Sequence, residues 1–209
     1  MGIIKKIIKK ILLYINIIRI VPSAIGIFLT GESETIKKDA RRWAEICKWK
    51  EKSDFYILLK LIASYREFRN MYYYRLESGG SLARVLLYIM RLIYRPEPSL
   101  RIMVHNLGTG LFIQHGFGTM IAAESVGDNC WINQQVTVGY KDDTGCLTIG
   151  NNVYITCGAK VLGKITLGDN VKGGANAVIV KDVPSNCTVV GVPGYIVKRD
   201  GKKVHEPLV

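Results

Sequence analysis

The chain has 209 residues, 48% of them hydrophobic and 22% charged, a balance that supports a buried core and excludes disordered or collagen-like classes. Its five cysteines, Cys47, Cys130, Cys146, Cys157 and Cys187, are odd in number and lack a CxxC pair, which argues against a disulfide framework or a zinc site and for a reducing, cytoplasmic setting. The formal charge of +12 is uneven: residues 1–101 carry 20 Lys/Arg against 9 Asp/Glu and residues 102–209 carry 9 against 8, so the basicity lies on helical sequence without nucleic-acid-binding motifs and suits an anionic membrane better than nucleic acid.

The first residues, IIKKIIKKILLYINIIRI, set Ile3, Ile4, Ile7, Ile8 and Ile11 on one helical face and Lys5, Lys6, Lys9 and Lys10 opposite. Three readings of residues 1–30 stay open: a helix lying on the membrane, a helix packed against a partner subunit, and a membrane span, although Arg19 and Pro22 interrupt the apolar run. A signal peptide does not fit, because no small-residue cleavage site follows. Helical spacing then runs from Ser33 to Lys48 and from Ser53 to Tyr65. After the break at Gly79-Gly80, SLARVLLYIMRLIYR has the pattern of a mostly buried helix, stopped by Pro96 and Pro98. The expected division is a basic helical region at 1–100, a second domain at 101–200 and a polar tail at 201–209.

Beyond the prolines the period becomes six. The units begin at Val126, Ile132, Ile149, Ile155, Val161 and Leu167, and each places a second small or aliphatic residue four positions later: Cys130, Val136, Val153, Ala159, Ile165 and Val171. Both positions should point inward, with Gly and Asn at the corners, where a positive φ is useful. Such a repeat predicts a parallel β-helix with coils of about 18 residues. One extra residue near Gly118-Thr119 shifts the phase. A longer interruption, Gly139 to Cys146, predicts a loop leaving the prism, the kind of segment that carries function.

The strings FIQHGFGTMI around His115, INQQVTVG from Ile132 and DVPSNCTVVGVPGYIVK from Asp182 resemble the hexapeptide-repeat acyltransferases, in their serine acetyltransferase-like branch, over about residues 66–200. The resemblance implies a left-handed β-helix behind an N-terminal helical region, an α+β chain assembling as a trimer or a dimer of trimers with sites at the subunit seams. It implies His115 as general base in a transfer from acetyl-CoA to a hydroxyl, a task suited to the pKa of histidine. By matched position Gly139, Cys157, Gly158, Gly174 and Ala175 would follow the pantetheine arm, and Lys198 and Arg199 the nucleotide phosphates; no metal is implied.

The departures bear on the acceptor. Gln114 stands where serine acetyltransferases have an aspartate, no acid lies between Leu100 and Ile102, and the loop offers Tyr140, Asp142 and Asp143 in place of an Arg-His pair. His115 would then be oriented by a backbone carbonyl or by an acid across a seam, with Glu124 a candidate, and the oxyanion held by backbone N–H groups near Gly116 or Gly139. His105 reads as a surface or interface residue and His205 as part of the tail. With Gln114, Tyr140, Asp142 and Asp143 as acceptor contacts, the expected acceptor is a sugar of a bacterial surface or capsular polysaccharide, handled at the inner face of the membrane. Serine is the alternative acceptor, and a non-catalytic trimeric scaffold the alternative of another class.

Overall fold

The computed structural model describes residues 7–8, 11–12, 14–15, 20, 25–141 and 145–208. The proposed helix over residues 1–30 therefore lies largely outside the described residues, as do Asp142 and Asp143. The chain divides into two compact units, Met1–Pro96 and Glu97–Val209.

In the first unit a 3-10 turn, Ile25–Leu29, precedes four helices: α1 (Ser33–Ile46), α2 (Asp54–Ser64), α3 (Arg66–Leu76) and α4 (Ser81–Ile93). Ser53 caps α2, its hydroxyl accepting the Tyr56 N–H at 3.4 Å. Tyr65 takes an extended conformation, φ −120° and ψ 115°, and so separates α2 from α3. The core is aromatic: Trp43 is buried edge-on against Tyr65 and Phe68, with ring centroids 5.7 and 5.3 Å away. Within it the Arg75 Nε donates to Asp39 Oδ2 at 3.1 Å, a buried pair. The last helix departs from the sequence expectation. α4 forms where predicted, but it buries only Ala83, Leu87 and Met90, while Leu82, Val85, Tyr88, Ile89, Leu92 and Ile93 are exposed.

The second unit is a parallel β-solenoid of five rungs. One face stacks β2 (Phe112–Gln114), β4 (Trp131–Asn133), β7 (Tyr154–Ile155), β10 (Lys172–Gly173) and β12 (Cys187–Val190). A second stacks the start of β3 (Thr119–Val126), β5 (Thr137–Gly139), β8 (Lys160–Leu162) and β11 (Val178–Ile179), while the end of β3 carries β6 (Thr148–Ile149) and β9 (Thr166–Leu167) on the third. β1 (Leu100–Leu107) lies parallel to the whole of β3. The rungs close on an antiparallel hairpin, β13 (Tyr195–Arg199) and β14 (Lys202–Pro207).

The inward columns are the residues that set the sequence period. Ile113, Ile132 and Ile155 stack on the first face, Ile121, Val138, Val161 and Ile179 on the second, and Val126, Ile149, Leu167 and Val183 on the third, all buried. Each such side chain contributes about 1.5–3 kcal/mol of burial. The fifth positions, Cys130, Val136, Val153, Ala159, Ile165 and Val171, are buried as well. The extra residue of the first coil is visible as a 19-residue offset, Ile113 to Ile132, against 18 from Ile155 to Gly173.

Between the third and first faces runs an asparagine corner. Asn129, Asn152, Asn170 and Asn186 have φ between 55° and 61°. Beside them a polar chain runs from coil to coil: the Thr109 N–H donates to Asp128, the Asp128 N–H to Asn151, the Asn151 N–H to Asp169 and the Asp169 N–H to Ser185, at 2.6 to 3.0 Å. This edge is fully occupied in holding the coils together.

Candidate active site

The edge between the first and second faces is built differently. It begins with the turn His115-Gly116-Phe117-Gly118, continues one coil on with Gln134-Gln135, then Cys157-Gly158, then Gly174-Ala175-Asn176. Backbone bonds stitch these corners in order: Gln135 N–H to Phe117 O at 3.0 Å, Gly158 N–H to Gln134 O at 3.1 Å, and Asn176 N–H to Cys157 O at 2.9 Å. Five of the expected positions, His115, Cys157, Gly158, Gly174 and Ala175, thus share one edge.

His115 has φ of 54°, in the left-handed region, and its side chain is exposed. Histidine visits this region more readily than bulky residues, yet the conformation has a cost and needs support. The turn supplies it. The Phe117 N–H donates to His115 O at 2.6 Å, and the Gly118 N–H donates to the Ser99 hydroxyl at 3.0 Å. That hydroxyl in turn donates to Glu97 Oε1 at 2.6 Å. Among the described residues the imidazole itself has no hydrogen-bond partner, so it projects from a pinned turn.

Gln114, expected at the acceptor, is half-buried, and its Oε1 accepts the Trp131 indole N–H at 3.3 Å. Trp131 stands in an outer ladder between Phe112 and Tyr154, with centroids 4.6 and 5.3 Å away. The glycines divide into two kinds. A Cβ at Gly158, where φ is 74°, would fall 2.0 Å from Asn176 Oδ1, and one at Gly174 would fall 2.7 Å from Val190. Packing within the chain therefore accounts for both. A Cβ at Gly139 would meet nothing nearer than Ala122 at 4.0 Å, so packing does not require that glycine.

Gly139 and the inserted loop leave from a different edge, between the second and third faces. The loop is tied at its neck, where the Cys146 thiol donates to Ala122 O at 2.9 Å, and the interaction with Cys146 pushes the Tyr140 phenol pKa up. Tyr140 is exposed. Nearby is a pair that sequence reasoning missed. His105 Nδ1 lies 2.9 Å from Glu124 Oε2, both side chains being exposed. The signal was available, since residues 105 and 124 are separated by the same 19-residue offset that aligns β1 with β3. Glu124 is thus engaged by His105, on an edge other than that of His115. The Ser99–Glu97 support of the turn was likewise unread.

At the hairpin end, Lys198 is exposed, whereas Arg199 bonds Glu206, which raises the guanidinium pKa. Beside the exit turn lies a cleft of about 590 Å³ lined by Val180, Lys181, Val192, Pro193, Tyr195 and His205. Among the described residues no group of three His, Cys, Asp or Glu side chains forms a metal site. The Cys130 thiol is pushed up to about 11 by burial, which makes it a packing residue.

No family model matches the chain. In sequence it is similar to the serine acetyltransferase of Synechococcus elongatus, 44% identical over 133 residues, 61% of this chain and 52% of that protein. It is similar also to the serine acetyltransferase of Staphylococcus xylosus, 49% identical over 106 residues, 47% of this chain and 48% of that one. The chain spans about half the length of the curated relatives it matches. Among solved structures, serine acetyltransferase from Neisseria gonorrhoeae superposes with a TM-score of 0.60 at 29% identity, covering 82% of this chain and 66% of the other. The Brucella abortus enzyme in complex with coenzyme A gives 0.58 at 26% identity, covering 83% and 69%. The expectation of a serine acetyltransferase-like chain, helices first and β-solenoid second, agrees with these likenesses.

Proposed function

We propose that this serine acetyltransferase-like chain is an acetyl-CoA-dependent O-acetyltransferase in which His115 is the general base. The observation that carries the reading is the exposed imidazole on a pinned turn, at the head of an edge that passes Gln134-Gln135 and then the small corners Cys157-Gly158 and Gly174-Ala175. In the proposed reaction His115 takes the proton of the acceptor hydroxyl as its oxygen attacks the thioester carbonyl of acetyl-CoA. The thiolate of coenzyme A leaves and recovers that proton from the imidazolium, so no metal or redox partner is needed. Small corners at Gly158, Gly174 and Ala175 fit an extended pantetheine arm, and the cleft beside Lys181 fits the nucleotide. Arg199 is less suited to phosphate binding than Lys198, because Glu206 already holds it.

Serine is the acceptor with the better support. The curated relatives are serine acetyltransferases, and the Neisseria gonorrhoeae enzyme in complex with serine superposes with a TM-score of 0.56 at 27% identity. The sugar acceptor expected from Gln114 and the altered loop draws nothing from the comparisons, and Gln114 has the structural task of binding Trp131. Homotrimer assembly and a station at the inner face of the membrane stay part of the proposal.

The test is release of thiol from acetyl-CoA by purified protein with serine or with cell-surface oligosaccharide. Turnover with serine alone supports the reading, and turnover with oligosaccharide alone returns the acceptor to the sugar class. His115→Ala should lower kcat about 100-fold or more while leaving the melting curve unchanged. Full activity of that variant removes His115 from the mechanism, and failure of the wild-type protein to bind acetyl-CoA leaves a scaffold.

A further inference from the structure

We infer that the outward face of α4 docks on an anionic lipid bilayer. The helix has two apolar faces. At about 100° per residue, Ala83, Leu87 and Met90, with Tyr94 just beyond, point one way and are the buried ones. Leu82, Val85, Tyr88, Ile89, Leu92 and Ile93 fall on the opposite side, and their exposures run from 48% to 69%. Six large apolar side chains on one stripe exceed what scattered surface hydrophobics explain.

The charge around this stripe selects the occupant. Arg84 and Arg91 of α4 recur at i and i+7 and so line one flank of the stripe, and Arg95 follows two residues past the helix end, all three exposed. Among the described residues only Arg91 of the three has an ion pair, with exposed Glu77. The first unit holds 19 Lys/Arg against 8 Asp/Glu, a net of +11. A second copy on this face would bring the same arginines and the same net charge against themselves. A bilayer containing anionic lipid takes the apolar stripe into its acyl boundary and offers phosphates to the arginines, whose long stems reach outward from a half-sunk helix. No helix among the described residues is long and apolar enough to cross a membrane, so the contact is peripheral. It differs from the basic run of residues 1–20 and does not depend on the acetyl-transfer reading.

The test uses the full chain and vesicles of phosphatidylcholine with or without 30% phosphatidylglycerol, a composition chosen to supply negative charge. The protein should sediment with the anionic vesicles only, and less so as salt rises. Leu82→Ser/Tyr88→Ser/Leu92→Ser, which leaves residues 1–30 intact, should reduce the bound fraction about fivefold or more with an unchanged circular dichroism spectrum. Wild-type binding by that variant overturns the inference. Should the variant fail to fold, hydrogen exchange on the wild-type protein decides: slowed exchange confined to residues 81–93 on adding anionic vesicles supports docking, and unchanged exchange there overturns it. A dimer seen by light scattering that Tyr88→Ser dissociates, and that vesicles do not displace, also overturns it.

Discussion

At the scale of single residues, glycines that look alike in the repeat carry different burdens. Gly158 combines a φ of 74° with a clash at Asn176 for any Cβ, so Gly158→Ala should destabilise the solenoid by about 1–3 kcal/mol, read from urea unfolding. Gly139 has room, and Gly139→Ala should leave stability within about 0.5 kcal/mol of the parent. A rise in KM for acetyl-CoA at that unchanged stability would assign Gly139 to the groove; an unchanged KM would remove it. The sequence pattern marks both as corner glycines and cannot separate them, because crowding is set by the neighbouring coil. His115 is singled out as a candidate by its string, but the supports of its turn are not: Ser99 and Glu97 lie 16 and 18 positions upstream and act through the backbone of the turn. Gln114 reads as a missing aspartate until Trp131 is seen to occupy it.

At the scale of elements, α1, α2 and α4 lie where their spacing and breaks put them, while α3 (Arg66–Leu76) was not read as a separate helix. Ser53 and Gly79-Gly80 mark boundaries because a cap and a flexible break act locally. Burial was harder to read. The α4 sequence is apolar on two sides, and no count of hydrophobic residues tells which side meets the core. Two of the ion pairs in the helical unit join Arg41 to Asp54 and Lys60 to Glu51, and their hydrogen bonds lower the pKa of both carboxyls. A carboxyl whose pKa is lower in the folded chain adds stability above its unfolded value of about 4, and that stability is lost as pH falls through the lowered value. The Arg41–Asp54 pair lies at the surface and the Lys60–Glu51 pair is half-buried, so water still screens both and each contribution is modest. Asp54→Asn/Glu51→Gln should therefore melt slightly lower at pH 7 and show a smaller drop in Tm between pH 5 and pH 2 than the parent, followed at 222 nm. Equal drops would show that other carboxyls govern acid unfolding.

At the scale of the molecule, the second unit is a column in which each rung rests on the next. Ile155 is fully buried under Ile132, so Ile155→Ala should cost about 2–5 kcal/mol, measured by denaturant midpoint. A loss below 1 kcal/mol would mean that the neighbouring rungs collapse into the space. The six-residue period made this architecture legible because one inward residue per face is a local rule repeated many times. The inserted loop announced itself only as a missing beat, and the tie between Cys146 and Ala122 that closes its neck joins residues 24 apart.

The hairpin of β13 and β14 has a further meaning. A stack of parallel rungs has no intrinsic end, since the last offers the same row of N–H and C=O groups on which its predecessor was laid. Here β12 is covered by a strand running the opposite way, and β14 outside it reads KKVHEP, with two lysines and a closing proline. On that outer strand like charge and a missing N–H each reject another copy's rung. The tail thereby sets the length of the column, and keeps a fold built for stacking from growing into a filament.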